Sequence, residues 1–436
     1  MRRSMGAKLL AIALAAGLTA ACTSDGDGGD SPAAEPTGKV ALTFWSWAPN
    51  IDKAVNAWNA ANPNIQVTLS KQAGGGDIVT KLLTAAKAGN TPDLAQVEYQ
   101  SLPTLVSSDV LADIAKETGD VKAKFAEGVW QQVTLGTDAV YAIPQDSGPM
   151  MFYYRADEFA KHGLTVPKTW DEFAQQARTL RTKSKKQFMT TFSANDPGWF
   201  AGLTQQAGGA WWGVEGDSWK VTVNDAATRR VADFWGGLVR EGAVDDQPMY
   251  TPEWNKALND GTLIAWPSAI WAPGVLEGSA PATKGKWAMA PMPQWAAGES
   301  KTGSWGGSST GVGATSKNKA AAVKFATWLN TDPAATELLI KESAIYPAAR
   351  DAQASPSLQQ PPKFFAQQAD FYPQAKQIAD TASGFVWGPN VNVTYEAYKD
   401  GFAKAITAKT PFSAALDAMQ AATVADMKKN GFTVAG

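Results

Sequence analysis

One histidine and one cysteine in 436 residues restrict the chemistry open to this chain. His162 lies in "EFAKHGL", a segment patterned like a helix end, where an exposed or cap-like role is expected. A Ser-His-Asp triad would need that one residue in a cleft, and a zinc site built on several histidines cannot be assembled. "KTG" at 301–303 matches one element of penicillin-binding enzymes, but the S-x-x-K of Ser316 to Lys319 follows it instead of preceding it, and no S-D-N is present. "GSWGG" at 303–307 fits neither a phosphate loop nor a dinucleotide fingerprint. Glycoside hydrolysis needs only two carboxylates, so composition leaves it open, although no local acid pair points to it. Adjacent Tyr153 and Tyr154 raise the question of iron, but they fall in the strand-like run "MMFYYR", where neighbours point to opposite faces. One of them is expected in the core. No metal and no cofactor is expected.

What the chain does carry is aromatic surface: 18 tryptophans, the first of them Trp45. Trp58, Trp235 and Trp328 lie on apolar helix faces and are expected to pack. Trp199 in "NDPGWF", Trp271 in "SAIWAPG", Trp305 in "GSWGGS" and Trp387 in "FVWGPN" stand beside Gly and Pro in loop-like segments. Loop aromatics on a rigid scaffold are favoured binding positions. Sugars match them. A pyranose presents an apolar face of C–H groups to an indole, and its hydroxyl rim needs donors and acceptors such as Asp, Glu, Asn, Gln and Arg. Each stack is worth roughly 0.5–1.5 kcal/mol beyond burial, taking aromatic pairs as the guide.

The elements that position these residues begin after a leader. Arg2, Arg3 and Lys8 precede an apolar run from Leu9 to Ala21, too short to span a bilayer, so residues 1–21 read as a signal peptide. "LTAAC" resembles the lipobox of bacterial lipoproteins, with Thr19 where that pattern favours Leu, and Cys22 is the expected lipidated residue. With Cys22 so used, no thiol remains for a disulfide. Residues 22–38 read as the lipidated Cys and a flexible tether; their aspartates miss the spacing of a calcium loop. Without residues 1–22 the chain has 36 basic and 41 acidic residues, a net charge of −5 with no long basic run, which argues against nucleic acid as a partner.

The remainder is long enough for two domains and alternates strand-like with helical segments, the pattern of an α/β protein. Val40 to Trp45 and "IQVTL" (65–69) read as strands, with Asn50 and Asp77 as helix caps after them. Leu94 to Val97, "VTV" (221–223) and "TLIAW" (262–266) read as further strands, and Thr169 with Glu172 as a capping box.

Over nearly all of this region the chain resembles the extracellular solute-binding proteins of sugar ABC transporters, the maltose-binding-protein-like family. The most specific block is "YAIPQDSGPMMFYYRADEFAKHGLTVPKTWDEFAQQARTL" (141–180), supported by "AANPNIQV" (60–67), "AGNTPDLAQ" (88–96), "GTLIAWPSAIW" (261–271) and "WGGSSTGVGATSKNKAAAVKFATWL" (305–329). The resemblance implies a two-lobed, periplasmic-binding-protein-like type II fold with a central cleft and three inter-lobe crossings, near 143–148, 305–312 and 343–350. Lobe one would be 39–145 plus 309–345, and lobe two 146–308 plus 346–436. It implies no enzyme but a monomeric, lipid-anchored extracytoplasmic receptor that binds a neutral di- or oligosaccharide and docks on membrane permease subunits. A secreted glycosidase, or the same transport role with glycerol phosphate or a polyamine as cargo, are the competing readings. Carried over residue by residue, the ligand-binding set is Trp45, Trp47, Glu98, Tyr99, Gln145, Asp146, Trp271, Trp305, Gly306, Gly307, Tyr346 and Arg350, with Trp387 added. In "TFWSWAP" (43–49) a strand would send Trp45 and Trp47 the same way, but the strand ends there. Trp47, farther out of the sheet, is expected to face the cleft.

Overall fold

The computed structural model describes residues 38–435. The leader, Cys22 and the tether up to residue 37 lie outside the described residues. Two apolar cores organise the rest, each built around its own sheet. The first sheet starts from β1 (Val40–Ser46), where Leu42, Phe44 and Ser46 alternate inward. It adds β2 (Ile65–Lys71) and β3 (Leu94–Glu98), both parallel to β1, with β4 (Ala142–Pro144) at its far edge. The helix Asp52–Ala61 covers one face. Its Trp58 gives an indole N–H to the Ile65 carbonyl at 2.9 Å and meets Phe325 and Trp328 of the helix Lys319–Thr331.

The second sheet is antiparallel: β5 (Met150–Arg155) lies between β8 (Ala265–Ala269) and β9 (Trp287–Ala290). β6 (Trp212–Glu215) and β7 (Ser218–Val221) form a separate hairpin. Tyr153 is buried with its hydroxyl on the Ala269 carbonyl, while half-buried Tyr154 stacks on Phe152, as opposite faces require. The last strand of the first sheet, β10 (Ser308–Val312), comes only after the chain has built the second one. It runs antiparallel between β3 and β4. Every residue of its "SSTGV" is buried, and Gly311 leaves room for Leu111, which a Cβ there would approach to 2.9 Å.

Several local expectations are corrected. Asn50 does not cap the helix after β1: its φ is +53°, Ile51 takes the cap position, and the Asn50 amide instead donates to the Glu342 carbonyl. Asp77 sits inside the first turn of Gly76–Lys87, where its charge suits the helix dipole, but Gly75 holds the cap position. Thr169 caps Trp170–Lys183 as read, while the Glu172 carboxylate reaches the Lys168 N–H. The strands at 221–223 and 262–266 sit three residues earlier and later, as β7 and β8. His162 ends the helix Ala156–His162 and pairs with Gln187 at 2.8 Å.

Three chain segments run between the cores and are laced by backbone hydrogen bonds. Gln145 N–H and Asp146 N–H both donate to Ser308, Ser147 N–H to Tyr346, Ala348 N–H to Gln145, and Trp305 N–H to Gly148 at 2.8 Å. The third segment weaves: Tyr346 joins the second core, Ala348, Ala349 and Ala352 the first, and Leu358 the second. Gly148 is where two segments approach most closely, since a Cβ there would lie 2.2 Å from the Trp305 carbonyl oxygen. Gly148→Ala is therefore expected to cost roughly 1–3 kcal/mol of stability through backbone displacement. A thermal melt indistinguishable from wild type would show that the segments can part without loss.

Candidate functional site

Between the two cores lies a cavity of about 350 Å³, toward the small end of the roughly 300–1,000 Å³ typical of ligand pockets. Its first-core wall is a directional hydrogen-bond chain. Ala48 N–H donates to Ser46 Oγ at 3.2 Å, and that hydroxyl donates to Gln96 Oε1 at 2.6 Å. The other end of the amide, Gln96 Nε2, donates to Ser308 Oγ at 3.0 Å, which donates to Asp146 Oδ1 at 2.7 Å. This chain fixes the turn after β1, and with it Trp47, against the first two crossing segments.

The opposite wall is aromatic. Trp254 and Trp266 are fully buried and 5.1 Å apart, and they back Trp271 and Trp305, whose rings meet edge to face at 4.6 Å. The Trp271 indole N–H donates to the Trp305 carbonyl at 3.0 Å. Tyr250 leans on Trp254 and Trp305 with 46 % of its surface open and a φ of +65°. A bulky residue pays for that left-handed backbone in strain, and such strain concentrates at binding sites. Gly306 and Gly307, at φ +77° and +94°, let the second crossing line the cavity; a Cβ on Gly307 would meet the Tyr99 ring at 2.9 Å.

Three carboxyls face this space: Glu98, Asp146 and Asp196. Among the described residues no lysine, arginine or histidine lines it. Burial pushes Glu98 up to about 7, helped by the charges of Asp196 and Asp146. Burial lifts Asp146 to about 6 against two hydrogen bonds from Ser308, and Asp196 to about 6 against those from the Trp199 N–H and the Trp305 indole. The folded protein thus holds protons that the unfolded chain has already lost. The stability these groups contribute is present near pH 4 and falls as pH rises toward about 7. The Tm of the ligand-free protein is expected to fall across that window, and Glu98→Gln to flatten the fall. An unchanged slope in the variant would show that these carboxyls do not carry it.

Of the residues singled out in the sequence, the cavity brings together Trp47, Glu98, Asp146, Trp271, Trp305, Gly306, Gly307 and Tyr346. Five others stand off it. Trp45 is on the strand face away from Phe44 and packs half-buried on the first core. Tyr99 is a support, its ring under Gly307 and its hydroxyl on the Asp146 carbonyl at 2.9 Å. Gln145 is 1 % exposed among the crossings, with neither end of its amide partnered. Arg350 is exposed, its backbone N–H on the Lys124 carbonyl and its carbonyl accepting from Gln353 N–H. Trp387 packs on Phe385 and Trp212. Trp199, expected in a loop, is fully buried in the helix Pro197–Gln206, because Asp196 caps that helix and turns the indole inward.

Sequence reasoning missed Gln96, Asp196, Tyr250 and Ser343. Gln96 was within reach, since strand alternation places it on the face of Glu98. Asp196 reads as an ordinary cap before Pro197, which hides its second role. Tyr250 and Ser343 carry no local signal. From this geometry Trp47→Ala is expected to weaken ligand binding by about tenfold, the equivalent of about 1.4 kcal/mol. Trp45→Ala should do clearly less; calorimetric titration showing the reverse order would overturn the placement.

Several known proteins similar to this chain bind sugars. A lactose-binding protein of Rhizobium radiobacter is 28% identical over 304 residues, 65% of this chain and 69% of its own. The galacto-N-biose/lacto-N-biose I-binding protein of an ABC transporter from Bifidobacterium longum, solved with lacto-N-biose, superposes with a TM-score of 0.82 at 28% identity, covering 92% of this chain and 100% of that one. An ABC-transporter-associated binding protein from B. animalis subsp. lactis Bl-04, solved with β-1,6-galactobiose, gives 0.81 at 26% identity over 92% and 100%. The sequence profile of one family matches residues 45–336, and by it this chain belongs to the bacterial extracellular solute-binding proteins.

Proposed function

We propose that this protein is the extracytoplasmic substrate-binding component of an ABC importer, taking a neutral di- or oligosaccharide between its two lobes and handing it to a membrane permease. The observation that carries this reading is the pairing, across one cavity, of indole faces with carboxylate and amide oxygens. The indoles suit the C–H face of a pyranose and the oxygens its hydroxyl rim. We take lobe one as 39–145 plus 309–345 and lobe two as 146–308 plus 346–436, with ligand favouring the closed state because only there do both walls touch it. Cleavage after Ala21, lipidation of Cys22 and a monomeric, membrane-tethered receptor complete the proposal. Lactose, lacto-N-biose and β-1,6-galactobiose share a β-linked galactose, and we put a β-galactosyl disaccharide first among candidate ligands. The lining among the described residues carries three carboxyls and no cation, which favours a neutral sugar over glycerol phosphate.

A second reading has one observation behind it. Carboxyls lifted toward neutrality in a cleft are also the equipment of glycoside hydrolysis, where one acid must hold its proton. The two are separated by one experiment. The protein is titrated calorimetrically with lactose, lacto-N-biose, β-1,6-galactobiose and an arabino-oligosaccharide, and the sugar is then recovered and chromatographed. Saturable binding with the sugar returned intact is expected. Released monosaccharide would replace the receptor with an enzyme, and no heat with any saccharide at millimolar concentration would remove the sugar assignment.

A further inference from the structure

The charge of the cavity is unbalanced in a way that hydroxyl recognition alone does not require. Glu98 comes from the end of β3, Asp146 from the first crossing and Asp196 from a helix cap on the second core, so three separate elements deliver carboxyls to one space. The groups packed around them are tyrosines: Tyr99, Tyr250, Tyr395 and Tyr398 all feel one or more of these carboxyls. Lys399 acts weakly on Asp196, and its Nζ bonds Glu396. The hydrogen bonds that Asp146 and Glu98 accept fall on one oxygen each: Ser308 on Asp146 Oδ1 and Gln100 Nε2 on Glu98 Oε2. Asp196 takes the Trp199 N–H at Oδ1 and the Trp305 indole as well. A fourth polar group waits on the same cavity. Ser343, 7 % exposed, closes the helix Pro333–Ser343 with no partner for its hydroxyl. A buried polar atom left unpaired is costly.

We propose that the cavity selects saccharides by charge, and that its best-fitting ligand class is an amino sugar, with a protonated amine among Glu98, Asp146 and Asp196. An ammonium offers three donors and a charge to acceptors with no cation beside them in the described lining, and charge-assisted hydrogen bonds are the stronger kind. A uronic acid or phosphate at the same position meets like charge with no cation to relieve it. The raised proton affinity of the carboxyls gives this a signature. An ammonium entering the site displaces protons the carboxyls hold near neutral pH, whereas a neutral sugar makes no such demand. The inference rests on the sugar-receptor reading and replaces its neutral ligand with a cationic one.

The test uses one scaffold in four forms: lactose, the same disaccharide with an amine at C2 of its glucose unit, the N-acetylated form of that amine, and a galactosyl-uronic acid. Each is titrated calorimetrically into the protein near neutral pH, in two buffers of different ionisation enthalpy. The amine is expected to bind at least about tenfold more tightly than its N-acetylated twin, with proton release, and the uronic acid most weakly. Asp196→Asn keeps the helix cap and should cut the amine's affinity several-fold more than that of lactose; Glu98→Gln should act in the same direction at a position whose side chain makes no cap hydrogen bond. Equal affinity for amine and N-acetyl forms, or binding of the amine without proton release, would overturn the inference while leaving a sugar receptor in place. Failure of all four would instead fall on the sugar reading.

Discussion

The amide of Gln96 is the constraint on which the cleft depends. It is 2 % exposed, it sits in the middle of β3, and its two ends face different parts of the molecule. Its oxygen collects the Ser46 hydroxyl and the N–H groups of Trp47 and Ala48, so it sets the turn after β1. Its nitrogen holds Ser308 on β10, and through that hydroxyl Asp146 on the first crossing. Every proton in the chain points the same way, and the accumulated acceptor character ends on a carboxylate at the ligand space. A hydrophobic residue of similar size at this position would fill the volume and still release three elements from register.

The second core answers the demand for rigidity differently. With no cysteine among the described residues, the second core holds its cleft wall steady without disulfides. Eight tryptophans, Trp170, Trp199, Trp211, Trp212, Trp235, Trp254, Trp266 and Trp287, are fully buried around the antiparallel sheet. Seven of them meet edge to face at 5.1 to 6.0 Å, in the pairs Trp170–Trp235, Trp199–Trp235, Trp211–Trp212 and Trp254–Trp266. Large flat side chains fill space with few rotatable bonds, so the wall carrying Trp271 and Trp305 is backed by rings that have nowhere to move.

The fold class and much of the cleft were legible in the sequence because period and punctuation report them. Alternation in β1 and β2 and the cap at Thr169 come from local rules that tertiary contacts left alone. Helix starts failed where tertiary contacts took over: the Asn50 side chain goes to Glu342, nearly three hundred residues away in sequence, instead of to its own helix. The site list erred for a related reason. Glycine and proline mark a turn but not the direction a ring leaves it, so Trp199 and Trp387 turn into packing while Trp271 and Trp305 turn toward the cavity. Asp196 and Tyr250 reach the site from segments whose local pattern describes only a cap and a bend. Their role exists solely in the assembled pair of walls.

The distribution of indoles has a consequence for how the molecule reports its own state optically. Three of the eighteen, Trp47, Trp271 and Trp305, line the cavity, and the buried majority emit as a nearly constant background. Trp271 and Trp305 are not isolated emitters, however. They adjoin Trp266, and through it Trp254, at ring separations of 4.6 to 6.0 Å, well within the range over which excitation energy migrates between indoles. A quencher or a dehydrating sugar at the cavity therefore acts on the pooled excited state of four rings. The intrinsic fluorescence of this protein is weighted toward its ligand site more heavily than a count of exposed tryptophans would suggest.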